Sequence, residues 1–139
     1  MTRNFTGKLY RSGYTKQGET LFRAGDSKGF RYGGYWSHDR PVDELTIRHS
    51  KAVPYHWPGD NGEPLPRNTL DIGLEGRWEA GAAKYTGLVA PQKDAKTGEL
   101  FEGGGGQVHI PRLYGHPERK EWRINQKKLV EISEPWNLE

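Results

Sequence analysis

Apolar and polar positions along this chain alternate in short runs, and Gly and Pro separate the runs. "ETLFRAGD" (19–26) predicts a strand over Thr20–Ala24 that ends in a Gly-Asp turn. "GGYWS" (33–37) predicts a short strand entering a turn. "HDRPVDELTIRHSKAV" (38–53) is the best helix candidate, with Asp39 as N-cap, Pro41 in the first turn, and Asp43 and Glu44 complementing the helix N-terminus. Val42, Leu45 and His49 then share one face, and Pro54 lies just past the end.

The Pro-rich stretch 54–68 reads as a loop. "TLDIGLEGRWEA" (69–80) reads as a strand with a bulge near Gly73 or Gly76, and "AKYTGLVAP" (83–91) as another strand. A charged loop follows. In "QVHIP", Val108 and Ile110 point one way and Gln107 and His109 the other. "KKLVEIS" (127–133) predicts a last strand. These elements make an α+β fold, one small domain of short, mostly antiparallel strands with one or two helices, its core between about residues 19 and 133.

A chain of 139 residues is long enough for one real core. Only 32% of it is hydrophobic, but 12% is aromatic, including five Trp and seven Tyr. Disordered segments are poor in aromatics, so a ring-based core is expected. The net charge of +3 is spread along the chain, and its densest stretch, 116–128, reads as a solvated surface rather than a phosphate track. With no cysteine, disulfides, thiol chemistry and thiolate metal sites are excluded. The apolar runs are too short for a signal peptide or a membrane span.

Arg23 sits inside an otherwise apolar strand and must find a carboxylate, a carbonyl or an anion. It is a residue on the solvent face of the strand, or one paired to Asp26 or Asp39, or a guanidinium fork for phosphate. In "GFRYGGYWS", glycines precede Tyr35, Trp36 and Ser37, a pattern that suits a flat, nucleotide-like ligand and also occurs in ordinary turns. The five histidines lack metal-ligand spacing, and each is expected as an isolated surface or rim residue. Gln107 and His109 share a strand face. Glu99 and Glu102 flank the run "GGGG" (103–106), whose flexibility just before a strand needs a reason.

The order of these pieces resembles the NAD-consuming toxin domains of the tuberculosis necrotizing toxin family. The pieces are "LFRAGDSKG", "YGGYWS", "DRPVDEL", "YTGLVAPQ" and "GGGGQVHIP", spanning roughly Leu21 to Ile110. The family fold is a small α+β relative of the ADP-ribosyltransferase toxins. The resemblance implies that Arg23 contacts the NAD phosphates. It implies that Ser37, with the backbone around Gly34, Tyr35 and Trp36, lines the nicotinamide side. It sets Gln107 where ADP-ribosyltransferases carry their catalytic glutamate, with Gly105 and Gly106 letting the loop close over the dinucleotide. Glu102 and His109 are further candidates.

The implied activity is hydrolysis of NAD, as substrate rather than cofactor, to nicotinamide and ADP-ribose. No metal and no other cofactor is implied. The resemblance also implies action in the cytoplasm of a target cell and a cognate immunity protein. Alternatives are mono-ADP-ribosyl transfer to a macromolecular acceptor, a non-enzymatic binding module, and a ribonuclease toxin.

Overall fold

The computed structural model describes residues 5–28, 35–111, 125 and 127–139. Ten strands and one helix are defined among them: β1 (Phe5–Tyr14), β2 (Glu19–Gly25), β3 (Tyr35–Trp36), α1 (Glu44–Ser50), β4 (Ile72–Trp78), β5 (Ala83–Val89), β6 (Gln92–Lys93), β7 (Leu100–Phe101), β8 (Gly106–His109), β9 (Leu129–Ile132) and β10 (Trp136–Asn137). Their pairings are antiparallel, so the fold is α+β as expected.

One sheet has the order β1-β5-β8-β3, and a second has β10-β4-β2 with β9 also paired to β4. Among the described residues, the two sheets meet at one bridge. The Phe22 N–H donates to Ser37 O at 2.8 Å, and the Ser37 N–H donates to Phe22 O at 2.7 Å. In the first sheet Tyr35 pairs with His109 and Trp36 with Val108. Continuing that register by one residue sets Ser37 opposite Gln107.

Alternation along the strands builds the core. Leu21, Trp36, Trp78, Ala82, Val108 and Ile110 cluster, with Leu129 packed against them. The Trp36 and Trp78 rings meet edge to face, their centroids 5.5 Å apart, a favoured aromatic geometry. Gly76 makes this arrangement fit, because a Cβ there would lie 2.8 Å from the Trp36 ring. On the other face of β4, Gly73 likewise leaves room for Trp136, whose indole N–H donates to Pro41 O at 2.9 Å.

The helix is shorter than predicted and starts later. Asp43, not Asp39, is the N-cap, in extended backbone and accepting from the Thr46 N–H at 2.8 Å. The expected apolar face is also wrong. Val42 and Leu45 are exposed, and the helix buries Ile47 and Arg48 instead. Arg48 has no exposed surface, and its charge is met from several sides. It donates to Glu44 (2.7 Å), to the Val53 and Pro54 carbonyls, and to the Asn68 side chain (2.9 Å) and carbonyl. Helical periodicity counts Arg as polar and so misplaces this face.

The β4 irregularity falls between Arg77 and Trp78, opposite β9, rather than at Gly73 or Gly76. The charged loop after Pro91 holds the β6–β7 hairpin. Strands β1 and β10 have no counterpart in the sequence reading, so the described sheets run beyond the expected limits of the core at both ends.

Candidate functional site

Where the two sheets join, a cavity of about 530 Å³ opens. Phe22, Arg23 and Ala24 of β2 line it, with Tyr35, Trp36 and Ser37 around β3 and Gln107 of β8. Ile47, Lys51, Ala52 and Val53 come from the end of α1, and Trp57, Leu70, Val89, Gln92, Asp39 and Pro41 complete the wall. Sequence-predicted Arg23, Tyr35, Trp36, Ser37 and Gln107 are thus brought together. Gly34 lies outside the described residues. The volume is typical of a small-molecule site.

Alternation sets Arg23 on the Leu21 side of β2, and its guanidinium carbon stands 5.9 Å from the centre of the Trp36 ring. Gln107 lies on the side of β8 away from buried Val108. Its amide nitrogen Nε2 is buried without a hydrogen-bond partner among the described residues.

The other predicted residues are placed differently from what a nucleotide clamp would ask. Trp36 is only 2% exposed and is first a core residue. The Tyr35 ring lies against His109, tilted by 32° with centroids 4.5 Å apart. The Ser37 hydroxyl is committed to a local turn, accepting from the Asp39 N–H at 2.9 Å and donating to Asp39 O at 3.0 Å.

The glycine run does not line the cavity. The Gly103 N–H donates to His49 O at 2.8 Å, and the Gly105 N–H to Ser50 O at 2.9 Å, satisfying carbonyls at the end of α1. The Gly104 N–H and Gly105 O bond Val89 of β5, both at 2.9 Å. Gly103 has φ +73°, and a Cβ on it would lie 2.5 Å from Val89 O. Gly103 and Gly105 let the chain thread between a helix end and a strand, backbone against backbone, and Gly104 supplies a second positive φ, +88°. Glu102 lies across α1 from the cavity, in a hollow with Leu45, Thr46, His49, Ser50 and Gly103.

Lys51 is a wall residue that sequence reasoning missed. Its ammonium donates to Gly106 O, the carbonyl just before Gln107, and to Asp39 at 3.1 Å. A lysine at a helix end ordinarily reads as solvated, so no signal marks it. Trp57 was also missed, although a tryptophan inside a proline-rich loop is a usable signal.

Three histidines correct the expectation of isolated residues, and His38 is exposed as expected. His49 stacks on Phe101 (4.9 Å), His56 pairs with Asp94 (3.1 Å), and His109 lies tilted against Tyr35; His116 lies outside the described residues. Burial alone would raise the Asp94 pKa. Hydrogen bonds from the Thr97 and Lys96 N–H groups and from His56 outweigh this and hold the carboxyl well below the usual carboxylate range. Among the described residues no three His, Cys, Asp or Glu side chains gather as a metal site would require, and no helix is long and apolar enough to cross a membrane.

No protein-family model matches the chain, and no curated protein matches it. Solved structures do. Tne2, solved in complex with Tni2, superposes with a TM-score of 0.61 at 12% identity, over 94% of this chain and 92% of that one. Tse6, solved in complex with Tsi6, superposes with a TM-score of 0.51 at 13% identity, over 79% of this chain and 72% of that one. At such identities the likeness is one of fold, and in fold this chain is similar to both.

Proposed function

We propose that this chain is a toxin-type domain that hydrolyses the nicotinamide–ribose bond of NAD. The observation that carries the reading is the Gln107 amide, a buried, unpartnered N–H donor at the wall of a cavity that Arg23 also lines. An unsatisfied buried donor costs about 1–3 kcal/mol. A ribose or carboxamide oxygen would relieve that cost, and a guanidinium suits the pyrophosphate.

In the reaction the C1′–N bond breaks and its electron pair leaves with neutral nicotinamide. A water oxygen bonds to C1′ and gives up a proton to solvent. The transition state is oxocarbenium-like, so little acid catalysis is needed. The protein's work is to hold and orient the ribose. Gln107 positions the ribose, Arg23 anchors the phosphates, and Lys51 steadies the backbone ahead of Gln107.

Transfer to a macromolecule is the second reading: Glu102, the carboxylate nearest the glycine run in sequence, lines a separate hollow beside α1, and Asp39, the carboxylate in the cavity wall, is paired with Lys51 at 3.1 Å. Both structural neighbours are solved with a second protein, Tni2 and Tsi6, which supports a cognate immunity protein here. NAD incubated with purified protein and resolved by HPLC tests the reading: nicotinamide and free ADP-ribose are the expected products. Radiolabel retained on macromolecules after lysate is added would indicate transfer instead, and intact NAD in both settings would overturn the proposal.

A further inference from the structure

Four rings line the cavity: Phe22, Tyr35, Trp36 and Trp57. Three are engaged by other rings. Phe22 meets Trp136 edge-on (6.3 Å), Tyr35 lies tilted against His109 (4.5 Å), and Trp36 meets Trp78 edge-on (5.5 Å). Trp57 has no ring partner among the described residues and is 37% exposed.

Its backbone is nonetheless fixed on both sides. The preceding residue, His56, donates its N–H to Asp94 at 2.9 Å and accepts from the Ala95 N–H at 3.0 Å. Trp57 O accepts from the Leu65 N–H at 2.8 Å, and Pro58 and Pro64 form a bridge just beyond. Further along, Asn68 donates its side-chain amide to the Pro54 and Tyr55 carbonyls and is itself held by buried Arg48. A large flat side chain is thus presented to the cavity on a braced loop. Stacking on a ring held in this way loses little to ordering.

We propose that Trp57 is the face on which the adenine ring of the dinucleotide stacks. This rests on the NAD reading above. That reading sets Gln107 at the ribose beside the nicotinamide, and the other end of the molecule is a second flat heteroaromatic ring. Among the described residues Trp57 is the cavity ring with no ring partner, whereas Tyr35, also partly exposed, already lies against His109. Stacking of this kind makes adenine a source of binding energy rather than of catalysis.

The test compares wild type, Trp57→Ala and Trp57→Phe on NAD and on nicotinamide mononucleotide, which keeps the scissile bond but lacks the adenylate. Trp57→Ala should raise KM for NAD about tenfold with kcat retained. It should leave turnover of the mononucleotide unchanged, and Trp57→Phe should stay close to wild type. Equal losses on both substrates, or none on NAD, would overturn the stack.

A fluorescence titration with AMP keeps the inference separate from the catalytic reading. AMP should quench the emission of wild type, and the quench should vanish in Trp57→Phe. If wild type cleaves neither substrate but that quench is present, the NAD hydrolase reading fails and the stacking face stands. An identical AMP response in wild type and Trp57→Phe would overturn the stacking face.

Discussion

Phe22 and Ser37 exchange two backbone hydrogen bonds, at 2.8 and 2.7 Å, and that pair is the bridge between the two sheets. Arg23 follows Phe22 directly, and Gln107 stands opposite Ser37 in the extended register. The geometry of the site therefore hangs on this pair. Ser37→Pro removes one of the two donors and should cost at least about 3 kcal/mol. Ser37→Ala keeps both and loses only the turn to Asp39, about 1 kcal/mol, with kcat within a few-fold of wild type. Thermal melts and NAD turnover of the two variants check this. A collapse of kcat in a well-folded Ser37→Ala would give the hydroxyl a direct role.

The glycine run yields a graded series. Gly103→Ala combines a positive φ with a 2.5 Å approach to Val89 O and should cost about 2–5 kcal/mol. Gly105→Ala meets Ser50 O at 2.8 Å, with Ser50 Cβ and Lys51 Nζ at 3.2 and 3.3 Å, but at an ordinary φ, and should cost less. Gly106→Ala meets nothing within 4 Å and should change stability by no more than about 0.5 kcal/mol. Urea denaturation of the three variants reads the order. Equal, small costs would mean the run is slack rather than threaded.

Arg48 braces the loop that carries Trp57. Arg48→Leu should destabilise the fold by about 3–5 kcal/mol, because carbonyls and an amide around a buried charge lose their donor. Arg48→Lys should rescue little, since an ammonium cannot reproduce the guanidinium fork. Chemical denaturation of both variants checks this, and full rescue by lysine would show that charge alone suffices.

Acid should weaken the fold through Asp94. Its pKa is lowered on folding, so in acid the unfolded chain binds the proton more readily. The contribution is fully present above the unfolded value of about 4 and is lost as pH falls toward the folded value. Glu19, Asp43 and Asp71 shift in the same direction. Asp94→Asn should therefore cost stability at pH 7 and somewhat less at pH 3, because most of the loss falls below pH 3, as read by denaturation at the two values. An equal cost at both would show that shape rather than charge makes Asp94 matter.

How far the sequence carried depends on the kind of signal. Strands with alternating apolar residues, such as β2 and β8, are legible, because Leu21 and Val108 stand at core positions of period two. Strand β10 is not, because a two-residue pairing held by Trp136 over Gly73 is a tertiary event with no local pattern. The helix face is not legible, because Arg48 is buried by a set of partners that includes the nearby Glu44, Val53 and Pro54 and Asn68, twenty residues on. The convergence of Arg23, Ser37 and Gln107 on one cavity was legible as an order of motifs. Lys51 is not, since nothing local distinguishes a wall lysine from a solvated one, whereas Trp57 carries a usable signal as a tryptophan inside a proline-rich loop. The glycine run was noticed for a sound reason but given the wrong work, because its partners are the carbonyls of α1 and β5.

The most direct test is turnover of NAD by wild type beside Gln107→Ala and Arg23→Ala, with nicotinamide release followed by HPLC. The account predicts catalytic release by wild type. It predicts a fall in kcat of about 100-fold for Gln107→Ala, and a rise in KM of about 10- to 100-fold for Arg23→Ala. Intact NAD with wild type, or undiminished turnover by both folded variants, would contradict it.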